Sequence, residues 1–90
     1  MKRFLLCYDV SDNRERLKVE KIASRFGLRV QKSIFWCAQP KDSQELQDAL
    51  GHLHLQTGSV LLLPAPTWTE VQAFGSVQPA EVGDEAWLVT

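Results

Sequence analysis

The strongest constraint on the fold is a change of hydrophobic period within the first forty residues. Lys2 to Val10 is a nearly continuous apolar run, the pattern of a strand covered on at least one face. Ser11 and Asp12 interrupt it. Val19, Ile22, Ala23 and Phe26 then recur at i, i+3, i+4 and i+7, the spacing of one helical face. Asp12 followed by Glu15 has the spacing of a capping box, which opens the helix at about Asn13. Gly27 stands where a helix C-cap is wanted, with Arg25 in the last turn at the negative end of the helix dipole. A chain that switches from strand to helix this early must bury the helix face on a sheet.

The remainder repeats the theme. Leu28 to Gln39 is β-prone and longer than a usual strand, so it is either one bent strand or two meeting near Lys32-Ser33, ended by Pro40. Asp42 and Glu45 again have capping-box spacing, and Leu46, Ala49, Leu50 and Leu53 form a second helical face that Gly58 closes. Ser59 to Leu63 reads as a buried strand stopped by Pro64 and Pro66, Trp68 to Phe74 as an edge strand or hairpin arm, and Glu85 to Thr90 as a last short strand. Two amphipathic helices on one face of an antiparallel sheet give an α+β, ferredoxin-like (βαββαβ) sandwich with an extra C-terminal strand. Ninety residues make a single domain, 1–90, with a core over 1–67 and a C-terminal extension over 68–90 suited to a dimer or partner contact. A domain of this size is often helped by self-association.

Charge is divided along the chain. All ten Lys and Arg lie between Met1 and Lys41 with four acids, a balance of +6; the other seven acids follow, without one Lys or Arg, a balance of −7. The first half therefore predicts a cationic surface for an anionic partner. Arg14, Lys18, Lys21 and Arg25 recur at i, i+4, i+7 and i+11, a stripe beside the apolar helix face, with Arg16 and Arg29 nearby. Such stripes are commonly just solvated; the functional alternative is contact with backbone phosphates. No apolar run is long enough to span a bilayer and no cleavage-site pattern follows Lys2 and Arg3, so a cytoplasmic protein without a membrane partner is expected. Cys7 and Cys37 form no CxxC pair and are expected as free thiols. His52 and His54, two apart on the expected helix, point in nearly opposite directions and do not suit one metal. Trp36, Trp68 and Trp87 suit core or interface packing better than base stacking.

Asp9 ends the first strand, and two roles are open to it. It orders the strand-to-helix turn through backbone hydrogen bonds, or it holds a cation for phosphodiester chemistry. One carboxylate per chain makes a poor magnesium site, but a twofold axis beside it would bring two together.

YDVSDNRERLKV, then Gly27, then RVQKSIF resembles the small CRISPR-associated adaptation protein (the Cas-two family, endoribonuclease-like), in detail across residues 4–37 and in element order through Pro64. Its signatures are Tyr-Asp-[Ile/Val]-[Ser/Thr]-Asp at the end of the first strand and Gly-x-Arg-Val-Gln-x-Ser-[Val/Ile]-Phe after the first helix. The resemblance implies a ferredoxin-like homodimer with C-terminal strands exchanged or paired across the interface. It implies metal-dependent endonuclease activity on RNA or DNA in spacer acquisition and antiviral defence, or a non-catalytic scaffold bridging integrase subunits. Asp9 would be the catalytic and metal-binding carboxylate, with Mg2+ (or Mn2+) shared between the two Asp9 of a dimer. By motif position Arg16, Lys18, Arg29 and Phe35 would bind nucleic acid, joined by Arg14 and Lys21 of the basic stripe, and a CRISPR integrase subunit would be a partner. The family often has Ser-Val-Arg-Ile-Tyr-Pro before the proline, whereas this chain has Ser59-Val60-Leu61-Leu62-Leu63-Pro64, so the usual arginine is Leu61 and the tyrosine Leu63.

Overall fold

A computed structural model describes residues 1–72, 74 and 75. The expected last strand at 85–90, Trp87 and the end of the C-terminal extension lie outside these residues, as does the side chain of Trp68. The element order is β1 (Lys2–Val10), α1 (Asn13–Phe26), β2 (Gly27–Gln31), β3 (Ile34–Gln39), α2 (Glu45–Gly51) and β4 (Gly58–Pro64). The strands form one antiparallel sheet in the order β2-β3-β1-β4, with β1 between β3 and β4. This is the expected α+β sandwich. The segment after the first helix is two strands, joined by a turn at Lys32-Ser33.

The alternation of β1 sorts the two faces of the sheet. Leu6, Tyr8 and Val10 are buried with Val19 and Ala23 of α1, Leu46 of α2, and Phe35 and Cys37 of β3. On the opposite, helix-free face Trp36 is buried beneath Leu5, Leu28, Val30, Ala65 and Val71. The chain after β4 therefore crosses back over one end of that face. Leu61 and Leu63 of β4, register partners of Cys7 and Leu5, lie on the same face 58% and 45% exposed. An exposed pair of leucines side by side on a sheet face is a surface that another apolar surface would cover.

Local chemistry departs from the sequence expectation at three places. Asp12 caps α1 by accepting from the Glu15 backbone N–H at 3.0 Å, but Glu15 does not return the bond to the cap. Its carboxylate instead accepts from the backbone N–H of Gln56 at 2.9 Å and of Thr57 at 3.0 Å, and from the Thr57 hydroxyl at 2.5 Å. These bonds hold the Glu15 carboxyl below its usual range, so the staple is complete above that range and loosens as acid protonates it. At the second helix the predicted box at Asp42 is absent: Gln44 is the cap residue, and the Ser43 hydroxyl accepts from the Glu45 N–H at 3.2 Å. That helix stops at Gly51, well before Gly58, which opens β4 instead of closing α2. The stretch expected as a strand over Trp68 to Phe74 holds a 3-10 turn at Trp68–Glu70, closed by the Glu70 N–H on the Thr67 carbonyl at 2.9 Å.

Gly27 does cap α1, its N–H bonded to the Ala23 carbonyl, in an extended conformation open to any residue. What requires glycine is proximity, because an added Cβ would run into the Trp36 carbonyl and Cys37 Cα of β3. Gly27→Ala should therefore destabilise the protein by about 1–3 kcal/mol, the cost of overpacking. Gly51→Ala, with open space around it, should be neutral or stabilising by up to about 1 kcal/mol. Urea unfolding of both variants checks this; equal midpoints would show that β2 and β3 can separate without cost.

Candidate nucleic-acid and metal site

Asp9 lies in β1 opposite Ser59 of β4, on the helix-free face and exposed. Its side chain has no hydrogen bond or ion pair with any described residue, so the turn after β1 does not use it. That turn is held by other groups: the Ser11 hydroxyl donates to the Thr57 carbonyl at 3.2 Å and the Asp12 N–H to the Thr57 hydroxyl at 3.0 Å. Among the described residues no three His, Cys, Asp or Glu side chains cluster to hold a metal. The described donors of one chain thus do not make a magnesium site, which needs near-octahedral oxygen coordination. A second copy presenting the same face would add a second carboxylate. His52 is the C-cap residue after α2 and His54 follows in the loop, so the two do not share a helix.

The cations divide into two sets. Arg14, Lys18, Lys21 and Arg25 are all exposed along α1, on the side turned from its buried Val19 and Ala23. Arg25 also stacks on Phe26, 5.3 Å from the ring centroid. Arg16 is half-buried and its Nη2 donates to Asn13 Oδ1. Arg29, on edge strand β2, is paired at 3.1 Å with Glu20 of α1 and lies over the ring of Phe35, 5.2 Å from its centroid. Phe35, a candidate for contact with nucleic acid, is 4% exposed and belongs to the core. The strand register explains this: Phe35 points to the helical face, between Ile34 and Trp36 on the other face. It supports Arg29 from beneath.

The sheet therefore separates the candidate residues. Asp9 is on the helix-free face, while Arg29, Phe35 and the α1 stripe are on or around the helical one. A single subunit does not bring Asp9 together with Arg29 and Phe35.

Sequence reasoning gave no role to Tyr8 and Glu20, which join these parts. The Tyr8 hydroxyl donates to Glu20 Oε2 at 2.6 Å and stands 3.1 Å from the Lys32 carbonyl, while the Tyr8 N–H bonds the Ser33 carbonyl at 3.0 Å. Glu20 lies four residues after Arg16 on α1, and that spacing was the available signal. Burial, reinforced by the bond to Glu20, pushes the Tyr8 phenol up from 10.0 to about 12. Because the fold favours the neutral phenol, its contribution to stability is full below about pH 10 and is lost as pH rises towards 12. Tyr8 is the only tyrosine, so tyrosinate absorbance reports it alone. The midpoint should sit near 12 and fall in Glu20→Gln; a wild-type midpoint near 10 would count against the bond. Cys7 and Cys37 are free thiols, and burial pushes Cys37 to about 12.

Comparisons with known proteins agree with this architecture. The family model for CRISPR associated protein Cas2 matches residues 1–72. The chain is 49% identical over 35 residues to a protein of Rhodospirillum rubrum named CRISPR-associated endoribonuclease Cas2 4, a match spanning 39% of this chain and 28% of that relative. A hypothetical protein, TT1823, from Thermus thermophilus superimposes with a TM-score of 0.67 at 26% identity, covering 89% of this chain and 98% of its own. Streptococcus pyogenes Cas2 superimposes with a TM-score of 0.66 at 24% identity, covering 81% of this chain and 99% of its own, a likeness of fold. No helix among the described residues is long and apolar enough to cross a membrane.

Proposed function

The chain belongs to the CRISPR associated protein Cas2 family, and from that premise we propose that it is a homodimeric, metal-dependent endonuclease acting on RNA or DNA during spacer acquisition. One observation carries the reading. Asp9 is an exposed carboxylate whose side chain bonds no described residue, on the same sheet face as the exposed Leu61 and Leu63. Packing two such faces around a twofold axis would bury the leucines and present two Asp9 carboxylates to each other. The endoribonuclease name of the Rhodospirillum rubrum relative supports the activity.

Asp9 from each of two copies would hold Mg2+ (or Mn2+), and the cation would neutralise phosphate charge and acidify a bound water. The chain's own contributions are binding and orientation. Arg14, Lys18, Lys21 and Arg25 form an exposed cationic track whose attraction to phosphates is independent of sequence and weakened by salt. Arg16 and Arg29 are candidates for fixed phosphate contacts. Hydrolysis would form a bond from water oxygen to phosphorus and break the bond from phosphorus to the leaving sugar oxygen, which takes up a proton.

A second reading has its own observation. The α1 cations and Asp9 are on opposite sides of the sheet, which suits a scaffold that binds nucleic acid on its cationic side and an integrase subunit elsewhere, without cutting. Incubating the purified protein with RNA and with duplex DNA, in magnesium and in chelator, separates the two. Cleavage in magnesium alone supports the enzyme. Intact binding with no cleavage in either condition favours the scaffold.

A further inference from the structure

We propose that Glu20 is a positioning residue for Arg29: its carboxylate, held by the Tyr8 hydroxyl, fixes the Arg29 guanidinium on the Phe35 ring so that its free donors take one backbone phosphate of a bound nucleic acid. This rests on the nucleic-acid reading of the preceding subsection and assigns the cation that makes a fixed contact there.

The assembly is built from four elements, β1, α1, β2 and β3. Tyr8 on β1 donates to Glu20 Oε2 at 2.6 Å, and Arg29 Nη2 on β2 lies 3.1 Å from the same oxygen. Phe35 on β3 is the register partner of Arg29, so the sheet itself places the ring beneath the guanidinium, 5.2 Å from its centroid. Tyr8 closes the group from the other side, its ring 6.2 Å from that of Phe35. The supports are inside and the cation is outside. Tyr8 and Phe35 are 5% and 4% exposed, and the side chain of Glu20 is 20% exposed against 45% for Arg29.

A guanidinium has five N–H donors in a planar fork, and the ion pair with Glu20 occupies one nitrogen. Glu20 cancels the long-range charge of Arg29, so attraction at a distance must come from the exposed α1 stripe. What the clamp supplies is orientation: an arginine already held in one rotamer loses less freedom when it grips a phosphate. Lysines on an exposed helix offer no such fixed geometry. Arg16, four residues before Glu20 on the same helix flank, places a second cation beside the group.

The competing possibility is that Glu20 withholds Arg29 from nucleic acid. Glu20→Asp distinguishes them, because it keeps the charge and shortens the reach by about 1.5 Å. Binding of a fluorescein-labelled RNA and of a DNA duplex would be followed by anisotropy over a salt series, in chelator so that nothing is cut. The proteins are wild type, Glu20→Asp, Arg29→Ala and the double variant. Each single change should weaken binding about tenfold, the loss of one charged contact, and lower the salt slope by about one. The double variant should bind no more weakly than Arg29→Ala alone, the mark of two residues acting through one contact. Tyr8→Phe should move binding in the same direction.

Unchanged binding by Glu20→Asp overturns the proposal, as do losses that multiply in the double variant. So does tighter binding by Glu20→Asp, which would mean that the carboxylate withholds the arginine. A lowered melting temperature with an unchanged salt slope assigns Glu20 a structural role and overturns it too. If wild type binds neither nucleic acid, the reading beneath fails and takes this inference with it; wild-type binding with any of the other contrary results removes this inference alone.

Discussion

Asp9→Ala should lose magnesium-dependent cleavage by on the order of 10²-fold or more, the scale of removing one group that stabilises developing charge, while nucleic-acid binding is retained. The expectation of a clean loss follows from the surroundings of Asp9. The side chain is exposed and bonds no described residue, so its removal leaves no buried donor stranded and should change stability by less than about 0.5 kcal/mol. The strand-to-helix turn should survive, because Ser11, Asp12, Glu15 and Thr57 hold it. Single-turnover cleavage at saturating protein and magnesium, beside anisotropy in chelator, measures the two quantities separately. A variant that cuts as fast as wild type would remove Asp9 from the chemistry and leave the scaffold as the better account.

Leu61→Glu with Leu63→Glu should convert the proposed dimer to monomer and cost cleavage in the same proportion. Both positions are already largely solvent-exposed in the isolated subunit, at 58% and 45%, so the substitutions disturb no core contact and circular dichroism should be unchanged. In a dimer packed on that face they would bury four like charges, and separating the subunits is the easier outcome. Sedimentation velocity at micromolar concentration should show a shift of at least about 100-fold in the dissociation constant. Activity should follow the dimer fraction, because one subunit presents a single Asp9. A monomeric variant with full activity would sink the shared-metal arrangement, and a wild-type protein that is itself monomeric would do the same.

Much of the architecture was legible in the residues. The apolar run of β1, the 3.6-residue spacing of Val19, Ile22, Ala23 and Phe26, and the Asp12 cap all report local preferences, and each element formed where those preferences placed it. Lys32-Ser33 as a turn was one of two alternatives, and pairing of β2 with β3 chose it. At two of the misjudged places a partner distant in sequence outcompetes a local one. Glu15 had a capping bond available and bonds Gln56 and Thr57, 41 and 42 residues away, instead. Gly58 looked like the end of a helix, yet the chain there lies so close to Asp9 that an added Cβ would strike its carbonyl.

The candidate site divides in the same way. Sequence alone identified Asp9, the basic helix and Arg29 as chemically suited to phosphates, since charge, spacing and motif are properties of the chain itself. Which side of the sheet each occupies depends on strand register, and register is a relation between segments that no single segment contains. Tertiary structure therefore decided that Asp9 faces outward on the same side of the sheet as Leu61 and Leu63. It also decided that Phe35 turns inward beneath Arg29, and that Glu20 joins Tyr8 to that arginine across three elements.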